Sequence, residues 1–418
     1  VRIVQGTYFG NFRYVSAEGF DLSIQGGWSA ACATQEVDPS NTILDGAQNS
    51  DEVQHGRVLQ LSDTNAIQAE TASFTLQGIT LRNGDELANG GGLLVSGDYA
   101  GSLTVKSSMI HSSVASDGGG IFVRGMENVV VTDSIFRWNL ASGGNGGGVH
   151  VSSRSSMVLK NSTFSENAAS NKGGAVYSSA LQLFIENTMI HKNSAGRGSA
   201  GGGIYAAGST IQLYDNAVTE NDAEGSGGGI FLFARESIRA TSNYIVGNSS
   251  GSSGGGIWSR HTGDTVGSIV FANNAIVDNY AEWSGGGIEA RGLALIQLTN
   301  NNIVGNAAGE QAGGFYVDFD YGVTLYNNIF WSNSSARTAD IFFYAIPEQP
   351  VALFHNNFDQ RPGVGYDTTF NFSLVIDPSN LDAVDPMFVD PDNGDLSLLP
   401  DSPMINAGDP ETPDLPAT

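Results

Sequence analysis

The residues best suited to chemistry recur about one coil-length apart. His111, Arg137, Ser165 and His191 form one set; Trp138, Glu166 and Lys192 follow it by one position. A histidine beside an arginine is what abstraction of a proton next to a sugar carboxylate would use, the imidazole as base and the guanidinium as carboxylate partner. Glycoside hydrolysis would instead require two carboxyl groups facing each other across a bond. Stacked on neighbouring strands, these side chains would come within roughly 5–10 Å of one another. The same pattern is also that of an ordinary solvated face whose ion pairs contribute little.

A second set follows a glycine phrase. Phe122, His150, Tyr177, Tyr205, Phe231, Trp258, Glu289 and Tyr316 each come one residue after the apolar position that closes Gly-Gly-x. By strand alternation these side chains point outward, and their stacking predicts an aromatic stripe on one face. An exposed stripe of this kind suits a protein partner or a cell-surface glycan. Cross-strand packing that supports the sheet is the alternative. Asp390, Asp392 and Asp395, with Asn393 and Gly394, make an oxygen-rich loop. No cofactor is expected; calcium is the one ion this loop would suit, but the bidentate glutamate of an EF-hand is missing and a proline-bounded turn is the favoured reading.

What must position these residues is the repeat itself. The apolar residues closing the phrase are Leu93, Ile121, Val149, Val176, Ile204, Ile230, Ile257, Ile288 and Phe315, with separations between 26 and 31 residues. So steady a period marks a solenoid. Each unit reads as three short strands and three turns, the size of one coil of a parallel β-helix. Two more apolar columns can be set in register, one running from Val105 to Leu325 and one from Ile110 to Phe330. An asparagine column joins them: Asn139, Asn167, Asn193, Asn221, Asn248, Asn279, Asn306 and Asn333. Asparagine tolerates left-handed backbone and its amide can bond to the next coil, so this column is expected to be structural.

The expected fold is therefore all-β, a single-stranded parallel β-helix with three strands per coil of about 27 residues and about 10–12 coils. Residues 1–83 are expected to form irregular N-terminal coils or a cap, 84–360 the regular repeats, and 361–418, which lose the repeat, a capping segment over the last strand edges.

Composition narrows the partners. Among 418 residues, 18 are basic and 43 acidic, for a net charge of −25. Nucleic acid is excluded because phosphate binding needs clustered Lys and Arg. No apolar run is long enough to insert in a membrane as a helix. Cys32 is the single cysteine, so no intrachain disulfide forms. The opening Val1-Arg2-Ile3-Val4 reads as a strand already under way, which predicts a trimmed chain whose secretion signal lies upstream.

Phe136-x-x-Asn139 with Gly146-Gly147-Gly148-Val149, and Phe164-x-x-Asn167 with Gly173-Gly174-Ala175-Val176, resemble the repeats of the polymorphic outer-membrane proteins, a family of surface-displayed β-helical adhesins. The end of the chain resembles the closing segment of secreted right-handed parallel β-helix repeat proteins. The residues concerned are Asp385-Pro386-Met387-Phe388-Val389-Asp390, then Gly394-Asp395-Leu396, then Ser402-Pro403-Met404-Ile405-Asn406-Ala407-Gly408. These resemblances imply right-handed coils and an extracellular or cell-surface location, reached by export from a bacterium. The function they imply is non-enzymatic: adhesion, assembly or envelope structure. A polysaccharide-active lyase or glycoside hydrolase on the same fold is the alternative.

Overall fold

The computed structural model describes residues 1–16, 19–47, 56–63, 72–97, 101–152, 156–196, 198–319, 321–344, 348–370 and 372–410; for Asp392 it describes the backbone only. The chain divides into two compact units, Val1–Gly208 and Ser209–Thr418.

In the first unit every coil repeats the same paths. The first strand of a coil, Ile121–Arg124, lies parallel between Leu93–Ser96 and Val149–Ser152. The second, Asn128–Thr132, lies between Ser102–Lys106 and Ser156–Lys160. The third, Ile135–Arg137, lies between Met109–His111 and Thr163–Ser165. The period-2 alternation of a strand sends Val129, Val131 and Phe136 inward, all buried. Like residues then meet like: the Phe136 and Phe164 rings stack at 4.6 Å with 6° between planes. A two-residue strand, such as Leu140–Ala141, adds a fourth short segment that the sequence did not announce. It has no room for an alternating pattern. Residues near the start are also coiled: Thr42–Asp45 pairs in parallel with Gly6–Phe9 and Thr80–Arg82.

The second unit follows the same plan. Ile257–His261, Gly267–Ala272 and Ala275–Val277 are the three strands of one coil, and each pairs in parallel with its counterpart in the next. After Leu381–Asp382 the chain leaves the coils. It makes the one antiparallel pair among the described strands of this unit, Phe388–Asp390 with Asp395–Leu398.

Buried amides hold the corners. In unit 1 Asn139 Nδ2 donates to Asn167 Oδ1 at 2.9 Å, and Asn167 to Asn193 at 2.9 Å. In unit 2 the same column runs Asn221, Asn248, Asn279, Asn306 and Asn333, with links of 2.9–3.1 Å. Its last amide donates to Asp340 at 3.0 Å. Burial pushes the Asp340 carboxyl up to about 6, against the hydrogen bonds from Asp359 N–H and Asn333 that favour its charged form. A second ladder, five residues earlier, was not read from the sequence: Asn216, Asn243, Asn274, Asn301, Asn328, Asn356 and Asn380. Unit 1 fills that column with Ser108, Ser134 and Ser162, whose hydroxyls accept backbone N–H groups of the coil before. Satisfied in this way, a buried polar column fixes the register between coils at no cost in unpaired groups.

Candidate functional site

The aromatic file is in place but not in the expected environment. The stripe was expected on the outside; Phe122 is 6% and Trp258 8% exposed, and His150, Tyr205, Phe231 and Tyr316 are equally covered. The cause is the first glycine of each phrase, whose φ lies between +61° and +71° at Gly118, Gly146, Gly227 and Gly254. That left-handed turn folds the backbone over the side chain four residues on. A Cβ added to Gly118 would lie 2.8 Å from Phe122 Cβ, and one on Gly254 would lie 2.7 Å from Trp258 Cβ. The rings are thus held between the phrase and their neighbours along the axis. Tyr177 and Tyr205 stack at 5.2 Å and 3°, Phe231 and Trp258 at 4.3 Å and 2°. Glu289, fully buried in the same file, accepts from Trp258 Nε1 at 2.8 Å, Ser284 Oγ at 2.7 Å and Arg291 Nε at 2.6 Å. The file is a packed structural seam.

Its rim opens at one corner of unit 1. The residue before a phrase lies beside the stripe residue of the next coil, 33 positions later for both Asp117 with His150 and Lys172 with Tyr205, a pairing the sequence reading missed although the fixed spacing carried it. Asp117 Oδ1 is 3.4 Å from His150 Nδ1. It also accepts from Asn145 N at 2.7 Å. The hydrogen bond from His150 is the main reason its carboxyl lies below the usual range. The Lys172 ammonium stands 4.7 Å from the Tyr205 ring centroid. Tyr177, half-buried between these groups, has its phenol pushed up mainly by burial.

The other predicted cluster lies on the third-strand face of unit 1. His111 and Arg137 are register partners, as are Arg137 with Ser165 and Ser165 with His191. Arg82 precedes His111 in the same file. Its Nε donates to Asp45 at 2.6 Å. Burial, then the charges of Arg137 and Arg82, hold the His111 imidazole below its ordinary pKa. The Arg137 guanidinium lies 4.5 Å from the Trp138 ring centroid. Trp138 Nε1 donates to Glu166 Oε2 at 2.9 Å. Glu166 and Lys192 occupy equivalent left-handed turn positions, both with φ of 54°. The file therefore brings His111, Arg137 and His191 into one row. It ties Glu166 to an indole rather than aiming it across the row at a second carboxylate.

In the C-terminal loop Asp390 accepts from Asn393 Nδ2 at 2.8 Å, and Asp395 accepts from Ser397 N at 2.9 Å. Both carboxylates serve the local turn, and the Asp392 side chain lies outside the described residues. Among the described residues no group of three His, Cys, Asp or Glu is placed to hold a metal ion.

A family model described as the right-handed β-helix region matches residues 91–276. The chain is a right-handed parallel β-helix repeat protein. A search of curated proteins returned no match. Among solved structures, the A-module of the mannuronan C-5 epimerase of Azotobacter vinelandii is similar at 11% identity, over 92% of this chain and 90% of that one, with a TM-score of 0.30. A likeness at that level leaves the chemistry of this β-helix to be argued from its own residues.

Proposed function

We propose that this β-helix is a non-enzymatic extracellular or cell-surface protein, serving adhesion, assembly or envelope structure through the third-strand face of its first unit. The observation that supports this reading most is the exposure there of large apolar side chains beside a guanidinium. Ile135 is 36%, Trp138 48% and Met189 50% exposed, next to Arg137 and His191. Such a patch is what a binding surface presents. The polymorphic outer-membrane resemblance of the Phe-x-x-Asn and Gly-Gly-x-Val signals points the same way.

The corner at Tyr177 favours a second reading, a polysaccharide-active enzyme, because a half-buried phenol there stands among His150, Asp117 and Lys172. One screen separates the two. Acidic and neutral polysaccharides are incubated with the protein, and new ultraviolet absorbance and reducing ends are followed. The expected result is no turnover. Robust turnover that is lost in Tyr177→Phe, or in His111→Ala or Arg137→Ala, would sink the non-enzymatic reading.

A further inference from the structure

The second unit shows what a third-strand face of this chain can hold. Residues 385–410, which include the antiparallel pair, run back over the outside of their own unit. Gly394 lies so close to Tyr244 that an added Cβ would sit 2.4 Å from the phenol oxygen. Leu398 and Met404 line a pocket with Ile329, Asn300 and Asn327. Asn327 holds the Asp409 backbone with two hydrogen bonds: its Nδ2 donates to the carbonyl at 3.2 Å, and its Oδ1 accepts from the N–H at 2.9 Å. His355 Nδ1 is 3.0 Å from the Ala407 carbonyl oxygen. The segment that takes this seat carries six aspartates and no lysine, arginine or histidine.

In the first unit the same strand positions form the row Met109, Ile135, Thr163, Met189. The turn residues that correspond to Asn300 and Asn327 are Asp133, Asn161 and Asn187. They have the same left-handed backbone and are linked by side-chain hydrogen bonds of 3.2 and 2.9 Å. Ile135 and Met189 are exposed, whereas Ile329 in the second unit faces the docked segment. The borders differ in charge. On one side of the row run Lys106 and Lys160, in the register file that continues to Glu186. On the other run His111, Arg137 and His191. The chain has four lysines, Lys106, Lys160, Lys172 and Lys192, and all lie in the first unit. In a protein of net charge −25 this is an apolar row with Lys106 on one side and Arg137 on the other; Lys160, further along, is paired with Glu186 at 2.7 Å.

We propose that the Met109–Ile135–Met189 row is a docking groove for an extended acidic segment of a partner protein, with apolar anchors along it like those of residues 385–410. The proposal rests on the assembly reading above and names its partner class. Apolar side chains of the segment seat between Ile135 and Met189, and its carboxylates meet the Lys106 and Arg137 borders. A polyuronate would satisfy the borders but leave the apolar row unfilled, so the observations favour a peptide. Electrostatic complementarity of this kind sets partner choice and makes binding weaken with salt.

The test uses the full chain and a synthetic peptide of residues 385–410 carrying a fluorescent label, followed by anisotropy. Wild type is expected to bind, with affinity falling as salt rises. Met189→Asp, Ile135→Asp and Arg137→Glu are each expected to weaken binding about tenfold or more. Tyr244→Ala, in the second unit, is expected to leave it unchanged. The three first-unit substitutions are at partly exposed positions, and circular dichroism checks that the fold is kept. Three results would overturn the proposal: no binding by wild type, binding lost only in Tyr244→Ala because the peptide exchanges with the chain's own segment, or binding of polygalacturonate in place of the peptide. Absence of peptide binding without polysaccharide turnover rejects the partner class alone; turnover rejects the assembly reading itself.

Discussion

Gly255→Ala is expected to abolish folding of the second unit or to destabilise it by about 4 kcal/mol or more. Gly255 is the middle glycine of its phrase, with ordinary backbone dihedrals, so left-handed strain is not the reason. A Cβ there would lie 2.4 Å from the carbonyl oxygens of both Gly286 and Tyr280. Those atoms are backbone and take part in the ladder: Ile288 N–H and its neighbours fix the phrase of the next coil, and Gly255 N–H itself donates to Gly285 O at 3.0 Å. No rotamer change can make room, and two coils would have to part. Gly198→Ala is the comparison. Gly198 has φ of +65° but nothing within 4 Å of an added Cβ, so only the left-handed penalty of about 1 kcal/mol applies. Thermal or denaturant unfolding of both variants measures the difference. Equal, small losses would show that close approach between coils does not explain the repeated glycines.

Asn279→Ala is expected to cost about 3 kcal/mol. Its amide nitrogen donates to Ile245 O at 2.9 Å and Asn306 Oδ1 at 2.9 Å. Its carbonyl accepts from Asn248 N at 3.0 Å and Asn248 Nδ2 at 2.9 Å. Alanine would leave the Ile245 carbonyl and two Asn248 donors buried without those partners, and buried unpaired groups are what makes such a deletion expensive. Asn279→Asp keeps the shape and the acceptor but removes the donors, and a buried charge should make it at least as damaging at neutral pH. Chemical denaturation at neutral pH reads both; a loss below about 1 kcal/mol for Asn279→Ala would mean the ladder contributes little.

Much of this architecture could be read from residue types because a stacked coil places identical positions in identical surroundings. The columns that contain Ile121 and Phe136 set one apolar side chain on another, and the asparagines from Asn139 onward are one residue type meeting itself. What failed to show in the sequence depended on how the backbone curves. Alternation correctly aimed Phe231 and Trp258 away from the strand's inner face. It could not reveal that Gly227 and Gly254 fold back over them, which turns an expected binding stripe into a seam. The second asparagine ladder escaped notice because Ser108, Ser134 and Ser162 stand in its column in the first unit, so the chain has no single signature there. The seat of residues 385–410 was invisible for the opposite reason: the segment has no repeat, and only contacts such as Asn327 with Asp409 reveal it. The third-strand row was legible as a set, His111 with Arg137 and His191, but its apolar centre at Ile135 and Met189 was not, since on a strand those positions look like ordinary flanks of a buried Phe136 or Ile190.

The proposed function requires that the third-strand face of the first unit be open to solvent and the aromatic file be covered. Hydroxyl-radical footprinting of the native protein, read by peptide mass spectrometry, tests it directly. The structure predicts fast oxidation of Trp138 and Met189 and strong protection of Trp258, Phe231 and Tyr205. Fast labelling of Trp258 and Tyr205 with protection of Trp138 and Met189 would contradict the account and return the functional face to the stripe.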